Sequence, residues 1–299
     1  MIRPPSLKKG DKIAIVSPAR SISFAEVHPS IRFFNRYGLE VVLGSYVFSK
    51  KHQFAGTDDQ RCRDFQQMLD DDNIRAIFCS RGGYGSIRII DKLDFSRFCA
   101  NPKWIVGYSD VTVLHAHIHQ LYGIETLHAT MPVNIKDDTG GEPVETLLNA
   151  LFGEPFAYEL PKAPHSRTGE AEGVLVGGNL SILYNLAGTI SSPDTDGKIL
   201  FLEDLDEYLY HIDRMMWNLK RSGKLARLKG LIVGGMTQMK DNAIPFGKTA
   251  NEIIAEAVKE YSYPVCYDFP AGHIDNNLAL ILGRKIRMKV DKVVEVVFY

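Results

Sequence analysis

The chain has 299 residues, 45% of them hydrophobic and 24% charged, a balance that supports a globular protein with a substantial core and excludes a disordered or low-complexity chain. Its formal net charge of −1 leaves no electrostatic footprint for nucleic acid or for an anionic membrane surface as partner. No apolar run approaches the roughly 18 residues of a membrane span, and Cys62, Cys79, Cys99 and Cys266 form no CxxC pair, so free thiols in a reducing compartment are expected rather than a disulfide framework or zinc site.

At the start of the chain Lys8 and Lys9 are followed by Gly10 and Asp11, and the apolar stretch 13–16 is too short for the core of a signal peptide, so the cytoplasm is the expected location. Residues 12–16 read as a buried β-branched strand closed by Ser17-Pro18. An apolar-periodic helix follows over 24–37, then a strand at 39–43, a helix over 58–69 and a strand at 74–78. Residues 104–106 form a further short buried strand and 111–121 a helix. This alternation predicts an α/β domain with a parallel sheet and helices on both faces.

Residues 153–173 break the pattern, with Pro155, Pro161 and Pro164 among charged and small residues. They place an N-terminal domain at 1–155, a linker at 156–172 and a smaller, mixed α+β C-terminal domain at 173–299. In that second domain, strands are expected at 173–176, 198–202 and 230–233, with a hairpin over 285–298. Helices are expected over 180–187, 208–219 and 249–261.

Four local features carry chemistry. In Trp104-Ile-Val-Gly-Tyr-Ser-Asp110 a strand runs into a helix, so Ser109 sits on a tight turn with its hydroxyl projecting, and the amide of Asp110 points toward an oxyanion. Helix capping by Ser109 or Asp110 is the stronger local reading, because the second glycine of a G-x-S-x-G elbow is missing. Cys79-Ser-Arg-Gly-Gly-Tyr-Gly85 follows a buried strand and exposes backbone amides, as an oxyanion loop or simply as a tight turn; no phosphate-loop spacing is present. Glu203 and Asp204 close an apolar strand, either as site acids or as a solvated turn and cap. His273 stands in a loop, where a lone histidine is commonly incidental. His115, His117 and His119 share one helix, the first and last at i and i+4, but no HExxH pattern supports a metal there, and partly buried or surface histidines are preferred.

Ser17-Pro18, Gly56-Thr-Asp-Asp-Gln-Arg61, Arg81-Gly-Gly-Tyr-Gly85, Gly107-Tyr-Ser-Asp110, Val176-Gly-Gly-Asn-Leu180, Phe201-Leu-Glu-Asp204 and Gly272-His273 occur in an order and at separations that resemble the LD-carboxypeptidase (muramoyltetrapeptide carboxypeptidase) family, which includes the microcin C self-immunity peptidases. The resemblance implies a catalytic triad of Ser109 as nucleophile, Glu203 as acid and His273 as base, drawn from both domains, with the site at their interface. It implies an oxyanion hole from the amides of Gly83 and Asp110, and neither metal nor organic cofactor. The implied substrate is a small peptide: murein tetrapeptide losing its terminal D-alanine in cell-wall recycling, or alternatively a peptidyl-nucleotide antibiotic. A homodimer is also implied. Arg81 is open between binding a substrate carboxylate and a structural ion pair, and Phe156 and Tyr158 are the aromatic residues of the linker on which a base would stack. A non-catalytic two-domain binding protein and a metal hydrolase on the histidine helix are the competing readings.

Overall fold

The computed structural model describes residues 1–136, 141–155 and 157–299; Phe156 lies outside the described residues. The first half alternates as its periodicity predicts, with three further elements at 96–100, 126–128 and 142–152: β1 (Lys12–Val16), α1 (Phe24–Arg36), β2 (Glu40–Leu43), α2 (Asp58–Asp70), β3 (Ile74–Cys79), α3 (Ser96–Ala100), β4 (Trp104–Val106), α4 (Thr112–Tyr122), β5 (Thr126–His128) and α5 (Glu142–Phe152). The second half comprises β6 (Ala157–Pro161), β7 (Gly169–Asn179), α6 (Leu180–Asn185), β8 (Ile199–Leu205), α7 (Leu209–Arg221), β9 (Gly230–Thr237), α8 (Ala250–Ala257), β10 (Val265–Cys266), β11 (Leu280–Leu282), β12 (Lys285–Val290) and β13 (Val293–Phe298). Thr57 and Thr249 each start a helix with a reciprocal capping box, to Gln60 and Glu252.

The first sheet has the order β11-β5-β4-β3-β1-β2. All its strands are parallel except β11, which runs antiparallel to β5. Successive residues of β1 enter opposite cores: Ile13 and Ile15 pack with Phe34 and Phe78, while Ala14 and Val16 pack with Phe65 and Ile77. Burial on both faces explains why these strands read as unbroken apolar runs. The second sheet has the order β10-β9-β8-β7-β12-β13-β6, with its first four strands parallel and the rest antiparallel. Its inner strand β8 likewise sends Leu200 and Leu202 to one core and Ile199 and Phe201 to the other.

Two findings change the expected organisation. The stretch expected as a linker is strand at both ends: residues 157–161 form β6, which pairs with β13, β7 begins at Gly169, and only 162–168 connect the two. β6 is an edge strand, where a proline and solvent-facing charges are tolerated, so its composition resembles a linker. Moreover, β11 lies within the expected C-terminal domain yet completes the N-terminal sheet, pairing Leu280 with His128. Tyr158 is buried and its hydroxyl donates to the Ala279 carbonyl at 2.6 Å, so it belongs to the core rather than to a ligand surface.

The C-terminal ends of β3, β4 and β8 converge where the halves meet, the usual crevice of an open α/β sheet. There α4 packs on β7 and α6. The Asn179 amide donates to Thr112 Oγ1 at 3.0 Å, and a Cβ on Gly178 would fall 2.5 Å from that oxygen.

Candidate active site

β4 is too short to do more than deliver the chain into the crevice. At Gly107 the backbone turns with φ of 154°, and a Cβ there would meet Val111 at 2.9 Å. Ser109 follows with φ of 66°, a left-handed conformation that costs a non-glycine residue energy and tends to persist at functional turns. Its hydroxyl lies flush against the glycine loop: a Cβ on Gly82 would stand 2.7 Å from Ser109 Cβ and 2.8 Å from its Oγ. Neither Ser109 nor Asp110 caps α4 or the short turn before it, so the capping reading is set aside. Asp110 instead accepts a hydrogen bond from the Ser86 amide at 2.8 Å, tying the serine turn to the loop after β3. Burial raises the pKa of its carboxyl against the pull of the Ser86 and Gly85 amides.

Beneath the turn, His115 Nε2 bonds the Gly107 carbonyl at 2.8 Å. A carbonyl only accepts, so this nitrogen carries the proton, and burial lowers the imidazole pKa to about 4. His117 bonds Ser191 Oγ, and His119 bonds Thr126 Oγ1. All three histidines are buried, against the expectation of partly buried or surface positions, because β7 and α6 cover α4. Each ring is engaged by a separate partner, and among the described residues no group of three or more His, Cys, Asp or Glu is arranged to hold a metal ion.

Glu203 and His273 come together. Glu203 Oε2 accepts from His273 Nδ1 at 2.7 Å and from the His273 amide at 3.2 Å. The acid is fully buried and the imidazole side chain is 13% exposed. Because the carboxylate accepts at Nδ1, Nε2 is left with a lone pair for a proton. Burial opposes the imidazolium, but the hydrogen bond and charge of Glu203, with Asp204 beyond, outweigh it and raise the His273 pKa. Thr237 Oγ1 donates to the His273 carbonyl at 3.0 Å and fixes the loop to the end of β9.

Asp204 is neither a solvated turn nor the cap of the next helix. It is buried, accepting from Asn179 Nδ2, the Ser181 amide and the Leu205 amide, each at 2.9 Å. Burial and then the neighbouring Glu203 charge push its pKa up to about 7. Asn179 and Asp204 thus lock α6 beside the acid; the Val176-Gly-Gly-Asn-Leu180 run was the sequence signal for this support, though no role was read from it.

The two halves of the site touch through Tyr108, whose ring meets the His273 imidazole edge-on at 4.9 Å and 65°. Among the described residues Ser109 Oγ and the imidazole share no direct hydrogen bond; such catalytic bonds tighten in the complex with substrate. The loop bearing Gly83 carries a φ of 111° at that residue and packs on the Arg20 side chain. Arg81 reaches the Ser21 carbonyl at 3.3 Å and Glu26 Oε1 at 3.4 Å, so it is ion-paired on this surface.

With that geometry in view, the chain compares with known proteins as follows. Residues 13–129 match the family model of the LD-carboxypeptidase N-terminal domain, and residues 172–288 that of the LD-carboxypeptidase C-terminal domain. A probable murein peptide carboxypeptidase of Bacillus subtilis (strain 168) is 36% identical over 297 residues, covering 96% of this chain and 91% of the relative. The crystal structure of muramoyltetrapeptide carboxypeptidase from Oxalobacter formigenes superposes with a TM-score of 0.87 at 25% identity, covering 96% of this chain and 98% of that one. The microcin C7 self-immunity protein MccF, solved with aspartyl sulfamoyl adenosine, shares the fold at a TM-score of 0.88 and 22% identity, covering 98% and 97% of the two chains.

Proposed function

Because the chain belongs to the LD-carboxypeptidase family, we propose that Ser109, Glu203 and His273 are its catalytic triad and that it releases the terminal D-alanine of a murein tetrapeptide by hydrolysing an L,D-peptide bond. The observation that carries this reading is the 2.7 Å bond from His273 Nδ1 to buried Glu203, beside a serine held at positive φ.

A serine hydroxyl is a weak nucleophile until a base takes its proton. His273 Nε2 accepts that proton as Ser109 Oγ attacks the carbonyl carbon, and Glu203 holds the tautomer and stabilises the imidazolium. The tetrahedral oxyanion is received by the amides of Gly83 and Asp110, worth on the order of 3 kcal/mol each. The imidazolium then protonates the departing amine of D-alanine. Water, activated by the same imidazole, hydrolyses the acyl-enzyme and regenerates Ser109. The cytoplasm, in keeping with the four free cysteines, and a homodimer complete the reading.

The test is mass spectrometry of an L-Ala-D-Glu-mesoDAP-D-Ala tetrapeptide incubated with wild type and with Ser109→Ala, beside a peptidyl-nucleotide arm. D-alanine release by wild type alone is expected. Release by both proteins overturns the nucleophile, and cleavage of the peptidyl-nucleotide alone overturns the murein substrate. Light scattering reads the dimer.

A further inference from the structure

The loop that carries the base is held from behind by groups the triad does not use. Gly272 has φ of 107°, and a Cβ there would fall 2.6 Å from Glu203 Oε2, so the backbone lies directly on the acid. The Gly272 amide donates to Asn277 Oδ1 at 2.7 Å. The Leu278 amide closes the same loop by donating to the Pro270 and Asn276 carbonyls at 2.8 and 3.1 Å. Asn277 therefore sits at the neck of the loop, buried to 3% exposure, and reaches across it to the residue preceding the base.

His128 lies beyond Asn277, at the end of β5 in the other sheet. Its register partner is Leu280, three residues after Asn277, so the strand pairing of β11 brings the two side chains into one region. Burial, first of all, keeps the His128 imidazole well below the usual histidine range, and among the described residues neither its ring nitrogens nor Asn277 Nδ2 has a hydrogen-bond partner. The ring also abuts Tyr108 at 5.7 Å and Phe201 at 5.0 Å. Tyr108 is the residue whose ring meets His273, and Phe201 lies two residues before Glu203 on β8. The loop neck, the face of the base and the strand of the acid thus share one neutral floor.

We propose that Asn277 is the positioning residue of the base: its carboxamide oxygen fixes the Gly272 amide and thereby the angle at which the His273 imidazole meets Glu203. This rests on the triad reading above. Asn277 acts through Gly272 and His273, and its burial separates it from the crevice. Losing it misdirects Nε2 without removing a substrate contact, and small misplacements of a catalytic group are costly.

The experiment compares wild type, Asn277→Ala and Val294→Ala, the last a truncation on β13 in the buried core. Asn277→Ala is expected to lower kcat roughly 10- to 100-fold with KM held within about twofold. The low-field proton resonance of the Nδ1–H between His273 and Glu203 should move or broaden as well. Val294→Ala should lower Tm but leave kcat and the resonance in place. Wild-type kcat and resonance in Asn277→Ala overturn the proposal, as does an equal kcat loss in Val294→Ala. Should Asn277→Ala fail to fold, amide exchange of Gly272 in the wild-type protein decides: strong protection is expected, and exchange as fast as an exposed loop overturns it. If wild type releases no D-alanine, the substrate reading falls, while the resonance and amide exchange still decide this one.

Discussion

In the proposed triad, His273 is the side chain through which activity follows pH. Burial works against its charged form, yet Glu203 and Asp204 leave its pKa raised above the ordinary 6.5. In its proposed role as base it must be neutral, so kcat/KM is expected to climb through a pKa above that value. Folding runs the other way. A histidine with a raised folded pKa contributes stability that is full below the unfolded pKa and lost as pH rises through the folded one. The loop is therefore held most firmly by this ion pair where the enzyme is least active. Glu203→Gln removes the charge that raises the imidazole, and it should move the acid limb of kcat/KM to lower pH while kcat falls about 10³-fold or more. A limb that stays in place in the variant contradicts Glu203 as the partner of the base.

Among elements, the decisive contact is between the loops that leave β3 and β4. Gly82 and Ser109 share a space that only one of them fills with a side chain, since a Cβ on Gly82 would lie under 3 Å from two Ser109 atoms. Asp110 and Ser86 then lock the loops together at 2.8 Å. Gly82→Ala is expected to displace Ser109, the proposed nucleophile, and lower kcat roughly 100-fold. Far-ultraviolet circular dichroism should stay unchanged, since the loop is outside the sheet. A variant with wild-type kcat shows that the loop yields instead of the serine. The sequence marked both loops as glycine-bearing turns after buried strands. Their mutual contact lay beyond it, because residues 82 and 109 meet only when β3 and β4 pair in register.

At the scale of the molecule, the halves are interleaved. β11 returns from the second half to pair with β5, and directly after it Arg284 forms a buried ion pair with Glu125, its Nε 3.0 Å from Oε1 and its Nη2 2.5 Å from Oε2. Removing one member strands the other charge, at a cost of about 3–5 kcal/mol, whereas replacing both with apolar residues avoids that penalty. Arg284→Met is therefore expected to lose more stability in urea unfolding than the double variant Glu125→Leu/Arg284→Met. Equal losses would show that the charges are not coupled. At the other edge, the pairing of β6 with β13 makes residues 157–161 part of the second sheet, an edge strand whose composition imitates a linker.

The sequence by itself determined the alternation of strands and helices in the first half, the hairpin at the C-terminus and the family, since buried strands write their two-sided burial as apolar runs and the motifs keep their order along the chain. It also nominated Ser109, Glu203 and His273, though locally a helix cap, a solvated turn and an incidental loop histidine were each as good or better. Only the tertiary structure removed the helix cap and the solvated turn and set the loop histidine against buried Glu203. Burial, hydrogen-bond partners and positive φ belong to contacts between segments distant in the chain, and 70 residues separate Glu203 from the imidazole it holds. Short strands such as β5, β10 and β11 were hidden for the same reason: two or three residues acquire strand identity from the neighbour they pair with, not from a period of their own.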